Sequence, residues 1–342
     1  MKASVSVGGY DRSGGVELTE FVQEAERLGV DTAWSAEAWG ADAATSLAFL
    51  AGQTRRIRLG TGIMQISARA PSMTAMTALS LHHLSGGRFA LGLGVSGPQV
   101  VEGLHGAAYA RPLSRLRETV AIVRKGFAGE KLQFEGSEFR LPRPGGEGKP
   151  IRLDFPPAEI PIYLATLGPR ALEYTGEAAD GWLGTSFSPD YPEAHLGYLR
   201  RGAERAGRIL ADLDLETACT VAIGEDVERL IGEHRPGVAF QMGAMGSART
   251  NFYNDAFRRA GFEDDARAIQ RLWIEGRREE AVKRVPDEMI TAFGAIGTPD
   301  MVRARFETYR DCGIDGLNLR FDGCLDCRAR IAQLEQAMDL LP

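Results

Sequence analysis

The reading of the chain turns on Leu91-Gly92-Leu93-Gly94-Val95-Ser96-Gly97-Pro98-Gln99-Val100-Val101-Glu102-Gly103. An apolar strand, 88–93, runs into a glycine-rich turn that feeds a polar segment. Gly92, Gly94 and Gly97 stand in G-x-G-x-x-G register, the fingerprint of a dinucleotide-binding strand-turn-helix unit. That fingerprint belongs in the first such unit of a chain, and here three strand-helix units precede it. Pro98 follows Gly97, and the nearest candidate acid, Glu118, falls inside a helix rather than at a strand end. The dinucleotide reading is set aside. What remains is glycine at a strand's C-terminal end, where backbone N–H groups can approach an anionic or planar ligand.

Working outward, strand and helix alternate. Upstream lie a strand at 3–7, an amphipathic helix at 17–28 carrying Leu18, Phe21, Val22, Ala25 and Leu28, a strand at 32–35 and a helix at 43–53. A β-branched strand at 57–63 and a helix opened by Pro71 complete that side, proline suiting a first helical turn. Downstream, 132–141 reads as a surface hairpin arm and 142–157 as a Pro/Gly-rich loop. Strands follow at 161–165, 181–184 and 216–223, then a mostly helical, charged stretch over 226–292, a helix at 299–312 and a last strand at 316–321. Eight strands with short turns and helical crossovers describe an α/β fold, a single (β/α)8 TIM barrel over 1–342. It carries a loop insertion at about 130–160 and a helical insertion at about 230–292.

Composition agrees with this picture. A chain of 342 residues with 44% hydrophobic and 25% charged residues is long enough for one large barrel. The net charge of −6 and the lack of a long Lys/Arg block argue against nucleic acid. No apolar run reaches membrane-spanning length, and 1–7 reads as a strand rather than a leader, so a cytoplasmic protein is expected. Cys324 and Cys327 form a lone C-x-x-C with no second pair and no nearby His, which makes no metal site. Cys219 and Cys312 read as structural.

Barrels of this kind carry their sites at strand C-termini. Here those ends read Ser6-Val7-Gly8-Gly9, Ser35-Ala36-Glu37-Ala38-Trp39, Gly62-Ile63-Met64-Gln65, Gly94-Val95-Ser96-Gly97 and Ala165-Thr166-Leu167-Gly168, then Thr185-Ser186-Phe187, Gly224 and Arg320-Phe321-Asp322. They are rich in glycine and apolar atoms and poor in His, Cys and paired acids. Such a rim suits a large flat cofactor that brings its own reactivity. The helix opened by Gly168-Pro169 offers free N–H groups to an anion.

Several segments carry a resemblance. They are 60–63 (Gly-Thr-Gly-Ile), 84–94, Ser96-Gly97-Pro98-Gln99 through Gly103, Ile160-Pro161-Ile162-Tyr163 with Gly168-Pro169, Ala178-Ala179-Asp180-Gly181-Trp182, and Asn251-Phe252-Tyr253-Asn254-Asp255. In this order the chain resembles the luciferase-like flavin and deazaflavin oxidoreductases, especially the actinobacterial branch that uses coenzyme F420. The resemblance implies a (β/α)8 barrel and a hydride transferred between C5 of the deazaflavin and a small organic substrate. Glu37 matches an acidic position after the second strand; the His that follows it in some relatives is Ala38 here, which removes an imidazole at that place.

The matched positions define a site. Gly62-Ile63, with Met64, corresponds to a bulge where relatives hold a non-prolyl cis peptide against the ring. Gly94, Ser96 and Gly97, with Thr166, Leu167 and Gly168, correspond to backbone contacts with the ribityl and phosphate portion. Glu37 and His105 are the candidate proton-handling residues, Glu37 also a cofactor contact. Trp39, Trp182, Phe187, Phe240 and Tyr253 are the expected substrate-pocket walls. Glu37 can instead bond backbone or a neighbouring Arg, and Arg88, at a strand's start, suits a stabilising role. His195 and His234 read as solvated helix positions. FMN is the alternative cofactor, giving an FMN-dependent monooxygenase, and a non-catalytic flavin-binding protein is the third reading. The oligoglutamate tail of the deazaflavin calls for local positive charge, with Arg12, Arg69, Arg111 and Arg170 as candidates. A homodimer is the expected assembly.

Overall fold

The computed structural model describes residues 1–7, 15–245, 250–321 and 326–342. Gly8, Gly9, Arg12, Asp322 and Cys324 lie outside them. Eight parallel strands close a ring: β1 Lys2–Ser6, β2 Thr32–Ser35, β3 Arg58–Thr61, β4 Phe89–Gly94, β5 Ile162–Leu164, β6 Gly181–Gly184, β7 Asp214–Ile223 and β8 Gly316–Arg320. Each pairs with the next in order, and β8 returns to β1 through Lys2↔Gly316 to Val5↔Leu319. The molecule is a (β/α)8 barrel, and all eight ring strands overlap those read from the sequence.

Two departures matter. Strand β3 stops at Thr61, and the chain rejoins the wall as Met64–Gln65 beside Leu93 and Gly94 of β4. Where the regular β3–β4 ladder ends, the Thr61 hydroxyl bridges the strands, donating to the Gly92 carbonyl and accepting from its N–H, both at 2.8 Å. The second departure is an extra strand, Gly294–Gly297, which pairs with the upper half of β7 from Thr220 to Ile223. The lower half of β7 pairs with β6 on that same side. Gly-Ala-Ile-Gly is too short to show alternation, so the sequence gives no sign of it.

The insertion between β7 and this extra strand folds as helices Val227–Gly243, Phe252–Phe257, Glu263–Ile274, Arg278–Lys283 and Asp287–Phe293. It has its own apolar cluster, including Met242, Phe257, Ile269 and Met289, which reaches the sheet at Ala222 and Ile296. The expected surface hairpin is present as Phe134–Glu135 against Arg140–Leu141. Among the described residues no helix is long and apolar enough to cross a membrane.

Strand alternation divides the side chains into two sets. Val5, Leu59, Leu91, Leu93, Ile162, Leu164, Leu215, Leu317 and Leu319 face outward into the core beneath the helices. The bore holds Trp34, Ala90, Tyr163 and Leu183. Trp34 and Tyr163 meet edge to face at 5.2 Å. A methyl group on Gly60 would lie 2.2 Å from the Trp34 ring, so only glycine admits the indole there. A methyl on Gly92 would lie 1.9 Å from the Thr61 carbonyl oxygen; that glycine serves the wall, not a ligand.

Polar atoms in the bore are bonded to one another. Glu216 Oε1 accepts from Trp34 Nε1 at 2.5 Å and from the Ser4 hydroxyl. Below it, Asp214 Oδ2 takes Lys2 Nζ and the Tyr163 hydroxyl, both at 2.8 Å, and Arg58 donates to that hydroxyl at 3.1 Å. At the bottom rim Arg88 donates to the Ser85, Ile57, Ala51 and Thr54 carbonyls and to the Thr54 hydroxyl. It clamps one strand's start to the preceding helix end, as its position in the sequence suggested.

His195, expected at a solvated helix position, is fully buried. Trp182 at 5.6 Å and Phe187 at 5.7 Å box its ring, and neither ring nitrogen finds a partner among the described residues. Burial lowers its pKa from 6.5 to about 3. Burial raises that of Glu216 from 4.5 to about 7. The signs are opposite. Glu216 contributes stability that is complete below about pH 4.5 and is lost as pH rises through about 7. His195 contributes stability that is complete above about pH 6.5 and is lost as pH falls toward 3. Between these limits the slopes oppose each other. Glu216→Gln is expected to remove the decline between about pH 4.5 and 7, worth about 3 kcal/mol by the size of the shift. His195→Phe is expected to flatten only the acid limb. Urea unfolding across pH reads both; an unchanged decline between about pH 4.5 and 7 in the Gln variant contradicts the assignment.

Candidate functional site

The upper end of the ring gathers the expected turns. The Gly62–Ile63 peptide is cis. The Ile63 carbonyl accepts the Glu37 N–H at 3.0 Å, and its side chain lies over Gly94, 3.0 Å from where a β-carbon would stand. Ser96 adopts the left-handed region at φ 59°, unusual for a residue with a β-carbon. Gly97 caps the short helix Pro98–Val101 with extended backbone, and a β-carbon there would meet only Gln99 Oε1, at 3.8 Å. The next turn ends at Gly168, which opens the helix Pro169–Ala178 with no side chain capping it. Pro169 has no N–H and Ala171 donates to the Gly168 carbonyl at 3.0 Å, so the Arg170 N–H is what the first turn leaves without a bond among the described residues.

Within these turns the side chains divide by role. Thr166 is buried, its hydroxyl 2.7 Å from that of Thr175 and its carbonyl taken by Trp182 Nε1. The Leu167 carbonyl accepts Arg259 Nη2 at 2.7 Å, which ties the helical insertion to this turn. Met64 is fully buried in the outer core, so its side chain is not at the mouth; strand parity turns it toward the helices. Backbone, not side chain, is what this part of the rim offers.

The proton-handling candidates form a connected set. Glu37 is almost enclosed, 6% exposed, and pairs with Arg69 (19% exposed) through two bonds of 2.8 Å. Its oxygens also accept the Gln65 N–H at 3.1 Å and the Ala43 N–H at 3.3 Å. Its acceptor capacity is used within the protein. Gln65 Nε2 donates to the Glu37 and Ala38 carbonyls at 3.0 and 3.1 Å, which fixes the amide's orientation. Gln65 Oε1 is then the atom 3.1 Å from His105 Nε2. An oxygen can only accept, so Nε2 carries the hydrogen in that pair, and Nδ1 of the exposed His105 is the nitrogen left for exchange.

Two of the expected pocket walls are not walls. Leu183 fills the bore, so its neighbour Trp182 faces the opposite way and is sealed with Phe187 beneath the helices. Phe240, 44% exposed, packs its edge on Trp273 at 5.8 Å within the insertion. Trp39 stays 63% exposed on the turn after β2. Tyr253 is half-buried and lies within electrostatic range of Arg320, at the end of β8. Arg320 was quoted at a strand end without a role; its inward parity was the available signal.

Of the cations expected to meet an anionic tail, Arg69 is taken by Glu37 and Arg111 by Glu138 at 2.9 Å. Arg170, exposed on the first turn of the helix after Gly168, pairs with no group among the described residues.

The enclosure of Glu37 and Arg69 yields a stability expectation. Removing either partner leaves the other charge poorly solvated, a loss of about 3 kcal/mol. Glu37→Ala and Arg69→Ala should each destabilise by that order, and the double variant by clearly less than the sum. Chemical denaturation of the four proteins measures the coupling; additive losses would dissolve the pair as a unit.

Comparison with known proteins places this geometry. The family model described as luciferase-like monooxygenase matches residues 4–316. A protein of Mycobacterium tuberculosis, named with reserve as a coenzyme F420-dependent oxidoreductase, is 39% identical over 323 residues, covering 92% of this chain and 93% of its own. The 5,10-methylenetetrahydromethanopterin reductase of Methanolobus tindarius is 29% identical over 302 residues, covering 87% and 88%. In fold, the coenzyme F420-dependent tetrahydromethanopterin reductase of Methanopyrus kandleri superposes with a TM-score of 0.80 at 22% identity, over 99% of this chain and 97% of that one. The chain belongs to the luciferase-like monooxygenase family of enzymes.

Proposed function

We propose that this enzyme is a coenzyme F420-dependent oxidoreductase acting on a small organic substrate. The observation that carries the reading is the rim itself. Three turns adjacent in the ring, after β3, β4 and β5, present backbone, glycine and apolar surface, with the charges of Glu37 and Arg69 paired to each other and Arg170 exposed beside the last turn. The names of the M. tuberculosis and M. tindarius relatives support the same chemistry.

The residues present fit the deazaflavin. The Gly62–Ile63 bulge with Gly94 offers a flat apolar backing for its ring. Ser96, Gly97 and the 166–168 turn offer backbone to its ribityl and phosphate portion, and Arg170 offers charge to its tail. When bound, F420 supplies a ring carbon that gives or takes hydride.

The protein's own part is positioning and proton movement. His105 holds one hydrogen on Nε2 against Gln65 and exchanges the second at Nδ1 with the substrate atom that gains or loses a proton. Glu37 acts on this pair as a positioning residue, holding the Gln65 backbone while Arg69 neutralises its charge. Glu37 therefore orients the proton-handling group rather than serving as one.

A fluorescence titration tests the cofactor. The expected result is micromolar or tighter binding of F420, weakened by salt, and much weaker binding of FMN. Arg170→Glu should weaken F420 by about tenfold, the scale of an exposed charge reversal, and leave FMN unchanged. Protein that purifies with stoichiometric FMN and consumes oxygen with reduced FMN would be an FMN-dependent monooxygenase instead. His105→Gln should lower turnover by about a hundredfold and flatten its pH profile while F420 affinity holds. Unchanged turnover would move the proton transfer to another group.

A further inference from the structure

Three cations belong to rows that face the bore, and they differ in circumstance. Lys2 and Arg58 lie at the lower end and are consumed by Asp214 and Tyr163. Arg320 lies at the upper end. Its direction follows from register: Gly316 pairs with Glu216, Asn318 with Ala218 and Arg320 with Thr220. Glu216 points into the bore, where it meets Ser4 and Trp34, and paired residues on parallel strands share a face. Leu317 and Leu319, between them, are in the outer core. Arg320 therefore projects into the barrel mouth. It is exposed and makes no ion pair or hydrogen bond among the described residues.

Two further observations surround it. The Tyr253 phenol, carried on the insertion, lies within electrostatic range of the guanidinium, and burial raises its pKa, so the hydroxyl keeps its proton and can donate. One step lower on the same row, the Asn318 side-chain oxygen Oδ1 is buried and finds no partner among the described residues. In a ring of eight, β8 stands four places from β4 and thus across the mouth from the cofactor turns. A cation there faces whatever is held over those turns.

We propose that Arg320 and Tyr253 form the binding site for an anionic group of the substrate, which is a small organic carboxylate or phosphate monoester. This rests on the F420-dependent reading for what lies opposite. A guanidinium presents two parallel N–H groups that match either oxyanion bidentately, and the phenol adds a third donor. The anion is thereby anchored at the strand-8 side while the rest of the molecule extends across the mouth toward His105.

The test uses the full-length protein with succinate and inorganic phosphate as probes, titrated calorimetrically with and without F420. Wild type should bind at least one of them, more weakly as salt rises. Arg320→Gln should lose at least about tenfold in that affinity, Arg320→Lys less, and Tyr253→Phe a few-fold. A preference for succinate assigns a carboxylate, and a preference for phosphate assigns a phosphate ester. Equal probe affinity in wild type and Arg320→Gln, with both proteins folded by circular dichroism, overturns the proposal. F420 titration separates the two readings. An affinity for F420 unchanged in Arg320→Gln supports a substrate role. A tenfold loss there would assign Arg320 to the cofactor tail and overturn it. Failure of wild type to bind F420 at all, with succinate or phosphate still held through Arg320, would remove the cofactor reading and leave the anion site standing.

Discussion

The Trp34 indole wedged into the bore is the constraint on which the site rests. Its ring occupies the space a β-carbon at Gly60 would need, and its N–H is held by a carboxyl group from the far side of the ring. A barrel of eight strands has an interior just wide enough to be filled by side chains. Filling it at this level with Trp34, Tyr163 and Leu183 closes the bore beneath the mouth. The burial of Glu216 also decides a charge, against the Ser4 and Trp34 bonds that favour its ionised form. A carboxyl this deeply enclosed favours its neutral form, so the floor stays uncharged through mildly acidic conditions.

Above that floor the rim separates two kinds of recognition. On one side, strand ends present peptide groups, shaped by a left-handed serine, a break in β3 and an uncapped helix start. These contacts suit a large rigid ligand whose outline is constant. On the other side stand Arg320 and Tyr253, an ionic and a hydroxyl group, the pair proposed to hold a smaller anionic partner. The proton-handling set of His105 and Gln65 stands on the backbone side, braced by the Glu37–Arg69 pair.

Much of the architecture was legible because ring strands carry a strong signal. Stretches such as Arg58–Thr61 and Phe89–Gly94 are short, apolar and closed by glycine, and the helices between them are amphipathic. The site was legible in its backbone part for the same reason, since glycine at a strand end is visible in any sequence. Side-chain direction was harder. Trp182 and Phe187 looked like pocket walls because they sit near a strand's end, yet Leu183 takes the inward place and parity sends Trp182 outward. His195 follows Pro192-Glu193-Ala194, a polar helix start, and only tertiary packing buries it. Glu37 was recognised as an acid at the rim, but its partner Arg69 is thirty-two residues away and nothing local links them.

The extra strand Gly294–Gly297 gives β7 two successive neighbours on one side, β6 below and this strand above. The helical segment between Ile223 and Gly294 thus leaves the wall and returns to it on the same strand, carrying its own apolar cluster. Such an arrangement is modular: the segment is a cassette with adjacent attachment points, and exchanging it need not disturb the turns after β3 and β4, while Arg259 ties it to the turn after β5. Because Tyr253 rides on that cassette while Arg320 belongs to the wall, evolution or a protein engineer can vary what surrounds a fixed anchor. Diversification of substrate scope would then be concentrated in one contiguous stretch of about seventy residues.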